Sequence, residues 1–215
     1  FPLTKEQVSL DNGGGGNWGA EFGGDIHQIK TTTEAELEAA LAATAASAAK
    51  GEVRVPEDCT TLEEAVDRVH HVIPKTINVT RLTTIVVGKG EHQSYDDYLE
   101  IASAIHIVGD PKVPKNEIVV VGGIKFMEWI QGNCHLQHLT LRQAKGNGVA
   151  GYSSFTMDDV IVEQCGCSGV CAFGTGVVGR CTDVEVRQCG MGGVVASDGA
   201  SVTLIGAKTT VHHNC

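Results

Sequence analysis

DVIVEQCG at 159–166 returns as DVEVRQCG at 183–190, and a worn version, KTTVHHNC, occupies 208–215. HLTLRQAKG at 138–146 opens the series, and successive starts lie 21, 24 and 25 residues apart. In the first copy Leu139-Thr140-Leu141-Arg142 alternates apolar and polar residues over a strand's length. Such period-two alternation is the pattern of a half-buried strand. Short β-branched strands and glycine turns recurring every twenty-odd residues mark a solenoid in which each repeat is one coil. The expected fold is an all-β solenoid, a single-stranded parallel β-helix.

Aligning the copies predicts the core columns. Leu139, Val160 and Val184 form one, Leu141, Val162 and Val186 a second, Val149, Val170 and Val194 a third, and Phe155, Val177 and Val202 a fourth. About four apolar side chains per coil then point inward. A single coil of this kind cannot repay the entropy of ordering its own chain, so the stack must be cooperative.

The totals agree with a stack of tight coils. The chain has 215 residues, 27 of them glycine, and only 5% aromatics. Its net charge of −10 would repel phosphate backbones, which argues against nucleic acid as a partner. No apolar stretch reaches the roughly 18–20 residues needed to cross a bilayer, so no membrane association is expected. No secretory signal is visible, and the sequence opens at Phe1.

Cys165 and Cys189 hold equivalent places in successive coils, where strands stack about 4.8 Å apart. That spacing permits a disulfide. Cysteine also fills tight turns as a small hydrophobe, and Ala144 and Asn214 take the same place in the flanking coils, so free core thiols are favoured. This leans the compartment, otherwise open, towards the cytoplasm. The sequon Asn78-Val79-Thr80 is a counter-signal.

Three regions follow from composition. Residues 1–30 form a glycine-rich segment with a short strand at Gln7–Leu10, and 31–51 an alanine-rich helix capped by Thr33 and Glu36. The β-helix occupies 52–215, with a capping helix near 61–72 whose Leu62, Ala65, Val66 and Val69 share one face. After it come Thr84–Gly90, Tyr98–Ile101 and Ala104–Asp110, strands separated by glycine turns. This order of helix, strand, glycine turn and further strands resembles the opening of right-handed parallel β-helix proteins of the pectin-lyase-like superfamily. The repeats also resemble those of protist β-helix repeat proteins. The resemblance implies right-handed coils and N-terminal capping helices. It is compatible with lyases, hydrolases, epimerases, adhesins and binding scaffolds alike.

Outward columns are where chemistry would sit. Arg142, Glu163, Arg187 and His212 form one, either a ligand-binding row for carboxylate or sulfate or a structural ladder of opposed charges. Gln143, Gln164, Gln188 and His213 read as an amide stack. If the chain is an enzyme on acidic polysaccharide, Asp158, Asp159, Asp183 and Arg187 are the catalytic candidates, and the resemblance would bring in calcium for a lyase. Only one of Asp158 and Asp159 can share a face with Asp183. Cys134-His135-x-x-His138 has metal-ligand residue types on opposite faces, and Cys165, Cys167, Cys171 and Cys189 match no known zinc spacing, so no metal site is expected.

The sequence thus favours a non-catalytic binding or scaffold module for a glycan or protein, without cofactor. A polysaccharide lyase or epimerase is the alternative. Unpaired backbone groups on the last coil predict that its edge is covered, by the N-terminal segment or by self-association.

Overall fold

The computed structural model describes residues 51–71 and 83–215. The strand expected at Gln7–Leu10, the glycine-rich segment and the alanine-rich helix lie outside the described residues. What is described is a parallel β-solenoid of about five turns.

β1 (Glu52–Val55) leads to helix α1 (Leu62–His71), then to β2 (Thr84–Val87) and β3 (Gly90–Ile101). The Thr61 hydroxyl accepts the Glu64 N–H, and the Glu64 carboxylate accepts the Thr60 N–H, so the expected cap forms. Leu62, Ala65, Val66 and Val69 are buried in the common core, as their spacing requires. Coils then follow as β4 (His106–Gly109) with β5 (Ile118–Phe126), and as β6 (Cys134–Gln137), β7 (Thr140–Arg142) and β8 (Val149–Gly151). Two more copies of that three-strand pattern are β9 (Phe155–Asp158), β10 (Ile161–Glu163) and β11 (Val170–Phe173), then β12 (Val178–Thr182), β13 (Glu185–Arg187) and β14 (Val194–Ser197). β15 (Ser201–Ile205) and β16 (Thr210–His212) begin another.

One sheet stacks β1, β2, β4, β6, β9, β12 and β15. The second starts as the long pair β3 and β5 and then forks. The first half of β5 pairs with β7 and the second half with β8. β10, β13 and β16 continue the first branch, and β11 and β14 the second. The fork arises because later coils carry a turn between the branches, residues 143–148 in the first of them, where β5 has only Gly122-Gly123.

The corners are the most regular feature. His138, Asp159 and Asp183 precede β7, β10 and β13 with φ of 53°, 54° and 51°, and Gln143, Gln164 and Gln188 follow those strands with φ of 58°, 57° and 57°. Such left-handed backbone is uncommon for non-glycine residues. Here it turns the chain at both ends of each three-residue strand. It also lets Arg142 and Gln143, neighbours in sequence, both face outward.

The columns of Leu139, Leu141 and Val149 stack as the repeat alignment predicts. The fourth is corrected. Phe155 and Val202 align with Gly179, not with Val177. A turn at Gly174 (φ 102°) and Gly176 (φ 80°) lengthens that coil and shifts the strand. Phe155 stacks on Phe126 with centroids 5.6 Å apart, and its ring extends over Gly179, whose missing side chain makes the room. The interior is also fuller than four residues per coil. Cys134, Leu136, Leu139, Leu141, Ala144 and Val149 are all buried in a single one.

These contacts set a test of the corrected register. A methyl group on Gly179 would lie 2.7 Å from Phe155 Cζ. Gly179→Ala should lower stability by about 1–3 kcal/mol. Phe155→Leu in the same chain should recover part of that loss, a coupling read from urea unfolding of the single and double variants. Strictly additive losses would refute the packing described.

Candidate functional site

Beginning with the column of opposed charges, β7, β10, β13 and β16 bring Arg142, Glu163, Arg187 and His212 into register. Arg142 Nε donates to Glu163 Oε1 at 2.7 Å, and Arg187 Nη2 and Nε donate to Oε2 at 2.6 and 2.9 Å. Arg187 Nη1 reaches Glu185 Oε1 at 2.7 Å, and His212 Nε2 lies 3.2 Å from the same oxygen. Glu163 is on the outer face yet only 4% exposed, because two guanidiniums close over it. Burial alone would raise its carboxyl. The hydrogen bonds and charges of Arg187 and Arg142 outweigh that and hold it below the usual carboxylate range. The Gln143 column forms the amide stack in part, with Gln164 Nε2 donating to Gln188 Oε1 at 3.3 Å.

The carboxylates considered for catalysis do not meet. Asp158 lies on the outer face of the first sheet, in register with Gln137 and Thr182. Asp159 sits at the adjoining corner, with Lys115 Nζ 2.6 Å from Oδ1 and His138 Nδ1 2.7 Å from Oδ2. Burial works against the Asp159 charge, but hydrogen bonds from Lys115 and His138 leave it below its ordinary value. His138 Nε2–H in turn donates to the Val113 carbonyl at 2.9 Å. Asp183, one coil further, accepts the backbone N–H of Lys208 at 3.3 Å. Thr140 is buried, its hydroxyl donating to the Lys115 carbonyl under the same strap of chain. Asp159 therefore fastens the 113–115 segment to the corner, while Arg187 belongs to the separate charge column.

The outer face of the first sheet carries a set that sequence reasoning missed. His106, His135, Thr156 and Arg180 occupy one column. The two imidazoles meet edge to face with centroids 5.8 Å apart. His135 Nδ1 lies 2.7 Å from the Thr156 hydroxyl, which accepts from Asn133 Nδ2 at 3.0 Å and lies 3.3 Å from the Cys134 carbonyl. Burial, only partly offset by the Gln137 hydrogen bond, lowers His135 below its ordinary value and favours the neutral ring. Arg180 is exposed and makes no hydrogen bond or ion pair among the described residues. The strands holding this column differ in length and wording, so no repeated phrase gave it away.

All eight cysteines are free. Burial pushes Cys165 and Cys181 up to about 12, the former helped by its stacked neighbour Cys189. Cys165 and Cys189 donate to the carbonyls of Glu163 and Arg187, at 3.6 and 3.5 Å. Among the described residues no group of three or more His, Cys, Asp and Glu side chains is placed to hold a metal ion. A recess beside α1 and β3 gathers Glu63, Asp67, Asp96, Asp97 and Glu100, with Lys145 paired to Asp97 at 2.6 Å.

No protein family, no curated protein and no solved structure matches this chain.

Two outcomes follow from this chemistry. Glu163→Gln should cost about 1–3 kcal/mol at pH 7, a value discounted for the solvent access of both arginines. The folded Glu163 titrates below its unfolded value of about 4.3, so the column's full contribution is present above that pH and drains as pH falls through the lower, folded value. Acid unfolding followed by circular dichroism should show a shallower pH dependence in the variant, and an unchanged acid limb would count against the column's role. Maleimide at pH 8 should label exposed Cys215 first and half-buried Cys167 more slowly, leaving the other six until urea is added.

Proposed function

We propose that this chain is a non-catalytic module, a right-handed parallel β-helix of the pectin-lyase-like kind with α1 closing its N-terminal end. It presents a rigid face to a glycan or protein ligand, or serves as a scaffold between neighbours, without a cofactor. The observation that carries this reading is the mutual engagement of Glu163 and Arg187 within the charge column. Both oxygens of Glu163 are spent on arginines, and Arg187 is divided between two carboxylates. A general base or a carboxylate-binding arginine must keep a free valence for its substrate. These groups serve one another, and opposed charges across strands are stabilising in their own right.

Nucleic acid and membranes are not among the module's proposed partners.

One observation favours the alternative of a lyase or epimerase on acidic glycans. Arg180 is unpaired two rungs, about 10 Å, from the neutral ring of His135. In that reading Arg180 would bind a uronate carboxylate, His135 would take the α-proton, and calcium would assist only a lyase.

Incubating the purified chain with polyuronates and sulfated glycans, with and without calcium, separates the two. The module reading expects unchanged polymers, with any binding retained in Arg180→Ala. New chain ends or inverted uronate centres that vanish in His135→Ala and Arg180→Ala would overturn it.

A further inference from the structure

A second surface has no part in that reading. β8 and β11 align Gly151 with Phe126 below and Ala172 above, so the residues that follow, Met127, Tyr152 and Phe173, stack on successive coils. The Tyr152 N–H donates to the Phe126 carbonyl at 2.9 Å and locks this register past the strand end. The rings of Tyr152 and Phe173 lie 5.0 Å apart at 22°, so Phe173 covers one face of Tyr152. Towards the preceding coil the surface opens into a cleft of about 210 Å³ lined by Lys125, Met127, Glu128, Trp129 and Tyr152. Trp129 is 58% exposed and Tyr152 40%.

We infer that this cleft binds a small quaternary ammonium group, with Trp129 and Tyr152 as its aromatic walls, Met127 as its floor and Glu128 as its counter-charge. Three observations choose that ligand. The cleft is smaller than the roughly 300–1,000 Å³ of pockets that enclose drug-sized molecules, so a compact head suits it. An indole and a phenol on one small recess, backed by a thioether, are the surfaces over which a poorly hydrated cation is attracted by ring quadrupoles. The local charge is negative. Lys125 Nζ is bound to Glu100 at 2.9 Å and neutralised, whereas Glu128 has no hydrogen bond or ion pair among the described residues. The chain's net charge of −10 adds a field of the same sign. A sugar ring is the weaker fit, because it could use the Tyr152 hydroxyl, the Trp129 indole N–H and Glu128 as polar partners but would bring no positive charge to answer the Glu128 carboxylate.

The test uses the full chain and ligand-observed NMR. Saturating the protein's aromatic protons should transfer magnetisation to the N-methyl protons of choline and of tetramethylammonium. The neutral isostere 3,3-dimethylbutan-1-ol, with the same shape and no charge, should bind roughly tenfold more weakly. Trp129→Ala should abolish the transfer, Trp129→Phe should retain part of it, and Glu128→Gln should weaken binding severalfold while abolishing most of its salt dependence. Circular dichroism checks that each variant is folded. Should Trp129→Ala fail to fold, Trp129→Phe and Glu128→Gln carry the comparison. Equal binding of the isostere would show an apolar recess only, preferential binding of methyl glucoside would show a sugar site, and absence of saturable transfer would show no site. Each of these overturns the inference.

Discussion

Every structural property of this chain depends on parallel, in-register stacking of one coil on the next at about 4.8 Å. In such a stack each residue has two obligatory neighbours, one coil below and one above, and its chemistry must suit both. The core columns meet this with apolar side chains, such as Leu141, Val162 and Val186 in one and Leu136, Met157 and Cys181 in another. Where volume is not constant, the neighbour compensates. Phe155 is accommodated because the next coil offers Gly179. A solenoid of this kind tolerates variation only when two coils vary together.

The same constraint acts on charge. An isolated carboxylate 4% exposed would be costly, yet Glu163 stands between Arg142 and Arg187 as directly as stacked strands allow. The guanidiniums satisfy both of its oxygens, Arg142 through Nε and Arg187 through Nε and Nη2. At the corner before the same strands, Asp159 does comparable work on Lys115 and His138 and ties down a segment more than twenty residues away. Glu163 and Asp159 thus each tie neighbouring elements together, one between strands and one at a corner.

Legibility in the sequence followed repetition. The β7, β10 and β13 strands were readable residue by residue because DVIVEQCG and DVEVRQCG preserve both alternation and length. The charge column came with them, although its burial did not, since exposure depends on how two long arginines fold over a neighbour. The first sheet was poorly readable. Its strands carry no common phrase, and the insertion at Gly174–Gly176 displaced the alignment by two positions. His135 and Arg180 therefore escaped notice as column mates. The aromatic stack escaped for a related reason: Met127, Tyr152 and Phe173 fall just beyond strand ends, where the register is held by single backbone hydrogen bonds.

This distribution also says where a solenoid can accommodate function. Within a regular column, a side chain's neighbours are fixed above and below, and opposite charges find each other and are neutralised. Free valences survive where the neighbouring coils offer no opposite charge. Arg180 is flanked in its column by Thr156 and Thr203, which cannot neutralise it. Trp129 and Glu128 lie in the connection after β5, outside any column, and Tyr152 has an aromatic neighbour in the coil above it, Phe173, whereas the coil below offers Met127. Repetition builds the frame, and the recognition proposed for this chain rests on side chains that the repeats leave unpaired.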